Sequence, residues 1–293
     1  MKTPKQIIGN KIRNLTLNKF PALYRPDSLP FVSGDTFRKI SDHIFDESKS
    51  FDPKKVQNND IVFVKTDLKD IYFNSFHNNI RSKYILICHN SDSSFEESDL
   101  NFIDEKIIHC FTQNLNTLSN TKVSAIPIGF ENARFRNNGK TKLLKKYDQN
   151  ISNKKEGVFC SFNIQTNYEV RSKIKEVISG QDNFYFKQFQ SFDEYILNLS
   201  SYKFALCPPG NGIDTHRVWE TLLVGGIPIV EKNDLYIEFT RQGVPLIMLD
   251  DWEIIKEVDI DYFLNHEFNL NEIKNHQIIK FKYWSQEIDK VKS

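Results

Sequence analysis

Residues 202–230 read YKFALCPPGNGIDTHRVWETLLVGGIPIV, and several local signals follow one another along them. Residues 204–207 form an apolar run of strand length. Pro208 and Pro209 stop it, because proline cannot donate to a sheet ladder. Gly210, Asn211 and Gly212 then make a loop where positive φ is available and a ligand can approach the backbone. Asp214 or Thr215 supplies an N-cap for a helix over residues 215–224. Val218, Leu222 and Leu223 mark its sheet-facing side, Gly225 and Gly226 end it, and residues 227–230 return as a strand. The helix begins at the carboxyl end of a strand. Its first-turn N–H groups and its dipole favour an anion there, typically a phosphate.

The charged residues of this unit fall at matching spacings. His216 and Glu220 are four apart and Arg217 and Glu220 three apart, so all three share one helix face. The planar fork of Arg217 suits the paired oxygens of a diphosphate. Glu220 suits two neighbouring ribose hydroxyls. The plain alternative is an ordinary βα unit with a surface His and an Arg–Glu ion pair. The loop, the helix start and the return strand, occurring together, favour the ligand site.

Outward from this unit, short apolar runs alternate with amphipathic stretches. Runs at 29–33, 60–65, 84–89, 107–112 and 123–128 have strand length and little polar interruption, as strands buried on both faces of a parallel sheet do. A helix is predicted over 35–46. The polar, basic stretch over 137–155 reads as an interdomain linker. A second series follows, with strands at 157–162, 184–189, 204–207, 227–230 and 245–249 and helices at 167–179, 192–199, 215–224 and 234–242. The tail over 269–291 reads as one long amphipathic helix. The fold class expected is α/β, with two Rossmann-like domains facing a cleft: residues 1–150 on the acceptor side and 151–293 on the nucleotide-sugar side. The terminal helix is a candidate to pack back on the first domain.

Residues 207–230, CPPGNGIDTHRVWETLLVGGIPIV, resemble the C-terminal signature of exostosin-like glycosyltransferases, CPxGxGxxxxRxWExxxxGxIPVV. The resemblance extends to residues 201–204 and to LDDW at 249–252, and in the first half only the general βα layout agrees. It implies the two-domain architecture called GT-B. It also implies a nucleoside-diphosphate sugar, expected to be UDP-linked, as donor and a carbohydrate or lipid-linked glycan as acceptor. Arg217 would then bind the phosphates and Glu220 the ribose. The chain lacks a signal-like or membrane-spanning segment, so a bacterial surface polysaccharide fits better than a heparan-type acceptor. The resemblance leans towards inversion at the anomeric carbon.

The donor-side candidates are Asn163, Arg171, Pro209, Gly210, Asn211, Gly212, Thr215, His216, Arg217 and Glu220. Asn163, Thr166 and Arg171 follow the first strand of the second series, and their plain alternative is a solvated helix start. Lys187 reads as a surface residue. On the acceptor side Asp35 is the first choice as general base, because a first strand followed by the Gly34 turn would lie centrally, beside a switch point. Its alternative is a helix N-cap. His89 and Asp92, after the run YILICHNS, come next, with a hydrogen-bonded turn as their alternative. Glu131 and Asn132 lie near the hinge. No Asp-x-Asp follows an early strand, and Asp250 and Asp251 read as a loop. The expectation is therefore no essential metal and no cofactor, with the nucleotide sugar as substrate.

The bulk numbers exclude other classes. With 39 basic and 38 acidic side chains among 293 residues, there is no net field to hold nucleic acid. The four cysteines, Cys88, Cys110, Cys160 and Cys207, form no CxxC pair and read as buried small side chains in a reducing compartment. A cytoplasmic location is expected, with peripheral inner-membrane contact through the basic first ~25 residues left open. A nucleotide-sugar epimerase or dehydrogenase would need an early GxGxxG, which is missing. A non-catalytic nucleotide- or carbohydrate-binding module and a polysaccharide phosphotransferase remain as alternatives.

Overall fold

The computed structural model describes residues 25–118, 120–147, 154–266 and 277–292. In chain order the first half carries α1 (Gly34–Ile40), β1 (His43–Phe45), β2 (Ile61–Lys65), α2 (Lys69–Ser75), β3 (Tyr84–His89), β4 (Ile107–Thr112), β5 (Val123–Ala125) and α3 (Thr141–Tyr147). The second half carries β6 (Lys155–Cys160), α4 (Tyr168–Val177), β7 (Phe184–Phe186), α5 (Phe192–Leu199), β8 (Tyr202–Leu206), α6 (His216–Leu223), β9 (Ile227–Glu231), α7 (Asp234–Arg241) and β10 (Ile247–Leu249). The short α8 (Ile260–Leu264) and α9 (Phe281–Lys290) complete it.

The strands form two five-stranded sheets, and every strand pairing within them is parallel. The apolar runs explain this: Tyr84–His89 is buried at every position, so the strand needs cover on both faces. The two sheets differ in winding. The first runs β1-β2-β3-β4-β5, always in one direction. The second runs β10-β9-β8-β6-β7: the chain passes from β6 to β7 at one edge, then returns to the other side of β6 for β8. The order reverses between β6 and β8. In open α/β sheets that reversal opens a crevice at the strands' carboxyl ends, where ligands bind.

Five expectations need correction. Residues 29–33 form no strand of the sheet; Phe31 and Ser33 make isolated antiparallel bridges to Lys280 and Gly129. Pro30 within that run removes a ladder donor, and the apolarity of Phe31 and Val32 reflects their complete burial. The first strand is β1, at a sheet edge, so Asp35 has no switch point beside it. The helix predicted over 35–46 stops at Ile40, and His43–Phe45 leaves it to pair with β2. The proposed linker contains α3, amphipathic with Leu144 and Tyr147 buried, while residues 148–153 lie outside the described ones. The tail is not one helix through position 280. Lys280 is extended and bridges Phe31, and α9 starts after it; residues 267–276 lie outside the described ones.

The terminal helix does pack on the first half. The Phe281 N–H donates to the Pro30 carbonyl at 2.9 Å, and its ring meets Phe37 edge-on with centroids 5.2 Å apart. All four cysteines are buried as free thiols. No described helix is long and apolar enough to cross a membrane. The basic residues 1–24, the stretch considered for membrane contact, lie outside the described ones.

Candidate functional site

The crevice between β6 and β8 is shaped by the residues that end those strands. After Leu206, the Cys207 N–H still donates to Ile229 O at 2.8 Å, and the two prolines then turn the chain out of the sheet. Gly210 and Gly212 do not use positive φ; the described glycines that do are Gly129, Gly180, Gly225 and Gly243. Space is what Gly212 provides. A Cβ there would lie 2.6 Å from Asn114 Nδ2, so the loop can press against the first half only without a side chain.

Arg171, on α4, ties the two strand ends together. Its Nε donates to Pro209 O at 2.8 Å, Nη1 to Asn163 O at 2.8 Å and Nη2 to Pro208 O at 3.4 Å. The guanidinium therefore spans the switch point as a clamp on backbone carbonyls. Burial, and then the neighbouring Arg217 charge, brings Arg171 down to about 10. Among the described residues, no carboxylate lies within 4.0 Å of either arginine. Two close cations with no carboxylate in direct contact favour a bound anion.

α6 begins above this clamp. Trp219, Val218, Leu222 and Leu223 are buried against the sheet, and Trp219 meets Phe239 edge-on. Thr215 holds the N-cap position but makes no side-chain cap bond, and its hydroxyl is buried without a partner. Arg217 Nε is also buried without a partner. Buried polar groups are nearly always paired, so two unpaired donors at one helix start mark a place for an acceptor-rich ligand. Glu220, one turn on, accepts the Tyr195 hydroxyl at 2.9 Å. Burial raises its carboxyl, against the opposing effect of nearby His216 and Arg217.

These groups line a pocket of about 830 Å³. Of the donor-side candidates, Asn163, Arg171, Gly210, Asn211, Gly212, Thr215, His216, Arg217 and Glu220 line it. Pro209 serves through its carbonyl on Arg171. The first half contributes Asp92, Ile128, Glu131 and Asn138. A second pocket, about 530 Å³, lies over the first sheet and takes in His89, Asn90, Gln113, Asn132, Arg134 and Phe135. Asp92, Ile128, Glu131 and His216 line both, so the pockets are continuous.

No family model matches this chain, and no curated protein sequence matches it. Solved structures do match in shape. The GtfA/B complex is 14% identical over 81% of this chain and 58% of that one, with a TM-score of 0.39. A UDP-forming α,α-trehalose-phosphate synthase from Burkholderia vietnamiensis is 11% identical, covering 100% of this chain and 82% of that one, with a TM-score of 0.43. The pneumococcal O-GlcNAc transferase GtfA, solved with UDP and GlcNAc, is 12% identical over 80% and 57%, with a TM-score of 0.36. The chain thus spans under two thirds of the length of the first and third of these.

The structure separates the three candidate bases. Asp35 is fully buried and lines neither pocket. Its Oδ1 accepts from Asn90 Nδ2 at 3.1 Å, its Oδ2 lies 3.0 Å from Arg134 Nε outside hydrogen-bond alignment, and Arg25 pairs at 3.5 Å. Its carboxyl is raised by burial against those arginines, but no substrate hydroxyl can reach it. It knits the base of the second pocket and is not placed to act as a base. His89 borders the second pocket with both ring nitrogens occupied: Nε2 donates to Pro127 O at 2.9 Å, and Nδ1 accepts from the Asn90 N–H at 2.7 Å. Burial holds it down to about 4, a neutral, fixed ring. Asp92 is exposed at the junction, where it accepts from Asn211 Nδ2 across the cleft at 3.2 Å.

Outside the pockets, Lys187 lies over the Phe189 ring, Asp250 pairs with Lys232, and Asp251 caps the turn at Trp252. Residues that sequence reasoning passed over are Tyr195, Gln188, Gln190 and Ser191. The last three follow β7, and the rule that strand carboxyl ends face the crevice would have found them.

Proposed function

We propose that this protein is a glycosyltransferase that moves a sugar from a nucleoside-diphosphate donor to a carbohydrate acceptor. The observation that carries this reading is the pair of unpartnered buried donors, Arg217 Nε and Thr215 Oγ1, at the start of α6 in the switch-point pocket. A diphosphate supplies the acceptors both lack, and Arg171 adds charge beneath it. Glu220, held by Tyr195, faces the same pocket and is suited to ribose hydroxyls. Of these residues, Arg217 and Glu220 belong to the stretch that resembles exostosin-like enzymes.

In this reading residues 151–293 carry the donor and residues 1–150 the acceptor, with the amide-rich second pocket taking the acceptor sugar. The acceptor is a glycan or lipid-linked glycan of a bacterial surface polysaccharide. The reaction inverts the anomeric carbon and needs no metal. As the anomeric carbon–oxygen bond breaks, negative charge grows on the diphosphate, where Arg217 and the helix start stabilise it.

Calorimetry and thermal shift of the full chain with UDP, GDP and CDP test the reading. A ligand bound only by the folded state raises the melting temperature in proportion to its affinity. One diphosphate is expected to bind and to be released from its sugar nucleotide on turnover. If none of the three binds, the reading fails.

A further inference from the structure

The seam between the two pockets holds a group so far counted with the donor site. His216 is the first residue of α6, and its Nδ1 lies 2.7 Å from the Gly129 carbonyl oxygen. A carbonyl only accepts, so Nδ1 carries the proton, and in the neutral ring Nε2 is the nitrogen with the lone pair. The strut is built in. Gly129 has φ +67, and a Cβ there would fall 2.4 Å from Val32 O, so only glycine fits and the carbonyl is fixed. Nε2 opens to the junction, 3.9 Å from Glu131 Oε2. Glu131 is itself oriented, with Oε1 accepting the Asn132 N–H at 2.9 Å. The gap exceeds a hydrogen bond, and an acceptor hydroxyl about 2.8 Å from Nε2 would donate its one proton to that nitrogen with the carboxylate close by.

Resting on the glycosyl-transfer reading above, we propose that His216 is the catalytic base and that Glu131 is its positioning partner. The acceptor's O–H proton passes to Nε2, and the freed oxygen pair forms the bond to the anomeric carbon. The bond from that carbon to the diphosphate breaks, its electrons leaving on the diphosphate beside Arg217. Glu131 stabilises the imidazolium, which then loses its proton to solvent. A base oriented by a carbonyl and paired with a carboxylate follows the general logic of activated sites. The other proton acceptors near the seam are less suited. His89 has both nitrogens engaged, Asp35 is sealed in, and Asp92 is exposed with Asn211.

Two measurements on the full chain test this. In protein labelled with ¹⁵N-histidine, two-bond nitrogen–proton correlations should show His216 with a protonated Nδ1 and a bare Nε2. A protonated Nε2 in the neutral ring overturns the proposal. The second compares wild type, His216→Gln, His216→Ala and Glu131→Gln, by nucleoside-diphosphate calorimetry and by nucleotide release from UDP-, GDP- and CDP-sugars. Failure of wild type to bind any diphosphate would instead strike the glycosyl-transfer reading. Where wild type binds and turns over, both His216 variants should keep affinity within about threefold and lose ~100-fold or more in rate. Added imidazole should restore part of the His216→Ala rate, and Glu131→Gln should lose only about tenfold. A His216→Gln rate within tenfold of wild type, or a dead Glu131→Gln beside an active His216→Gln, overturns the assignment.

Discussion

The carboxylate of Asp214 accepts the backbone N–H of Ile128 at 2.7 Å, and that single bond joins the donor loop to the end of β5 in the other sheet. The same carboxylate accepts Trp219 Nε1 at 3.0 Å, while the Asp214 N–H donates to Asn114 Oδ1 at 2.9 Å. Asp214 is buried, and desolvation pushes it up to about 7 despite these donors. The folded state therefore keeps a proton that the unfolded chain has released between pH ~4 and ~7. The group's contribution to stability is fully present below the ordinary carboxylate value and is lost as pH rises through 7. The difference is on the order of 4 kcal/mol. Asp214→Asn removes the titration. Urea unfolding from pH 4 to pH 8 should show the wild-type-minus-variant stability difference falling as pH rises. A flat difference would show that Asp214 ionises normally.

Arg171 should behave as a clamp whose shape matters more than its charge. Lysine keeps the charge but cannot reach Pro208, Pro209 and Asn163 carbonyls together. Arg171→Lys is expected to destabilise the fold by about 2 kcal/mol, from lost hydrogen bonds and unpaired carbonyls. Nucleoside-diphosphate affinity should weaken with it, because the crevice loses its shape. Full retention of both in thermal unfolding and calorimetry would make the clamp dispensable.

Arg217 is the opposite case. Its Nε has no protein partner to lose, so Arg217→Ala should leave the melting temperature within a few degrees. Loss of a charge-assisted fork should weaken diphosphate binding by about 10- to 100-fold. Unchanged affinity in the calorimeter would remove Arg217 from the phosphate site.

How far this was legible in the sequence depends on the residues concerned. Tyr84–His89 and Ile107–Thr112 are apolar nearly throughout, and burial on both faces is what makes a parallel strand readable. The α6 constellation was legible because His216, Arg217 and Glu220 lie within two turns of one helix. Strand order was not, since the return of the chain from β7 across β6 to β8 is a tertiary choice with no local signature. Pro30 carried a warning against the strand at 29–33, and the run's hydrophobicity outweighed it. The paired state of Asp35 was invisible, because Arg134 lies almost a hundred positions away.

Metal dependence is open to a direct trial. In the proposed reaction the leaving charge falls on Arg217 and the start of α6, so diphosphate affinity and turnover should survive excess EDTA. Loss of both, restored by Mn²⁺ or Mg²⁺, would assign the charge to a cation instead.

Asp35 offers the sharpest separation between a stabilising and a chemical role. Its carboxylate is enclosed by Arg25, Arg134 and Asn90 and touches neither pocket. Asp35→Asn keeps the shape but removes the charge, leaving Arg134 beside a neutral amide in a site where Arg134 is itself half desolvated. The amide relieves the desolvation that raises this carboxyl but leaves Arg134 without its closest carboxylate, so the loss should stay below the ~3 kcal/mol of a broken buried pair and the denaturation midpoint should fall only slightly. Transfer measured well below that midpoint should stay within about tenfold of wild type, because no proton moves through this group. A variant that folds as firmly as wild type yet loses ~100-fold or more in rate would return Asp35 to the role of base and displace His216 from it.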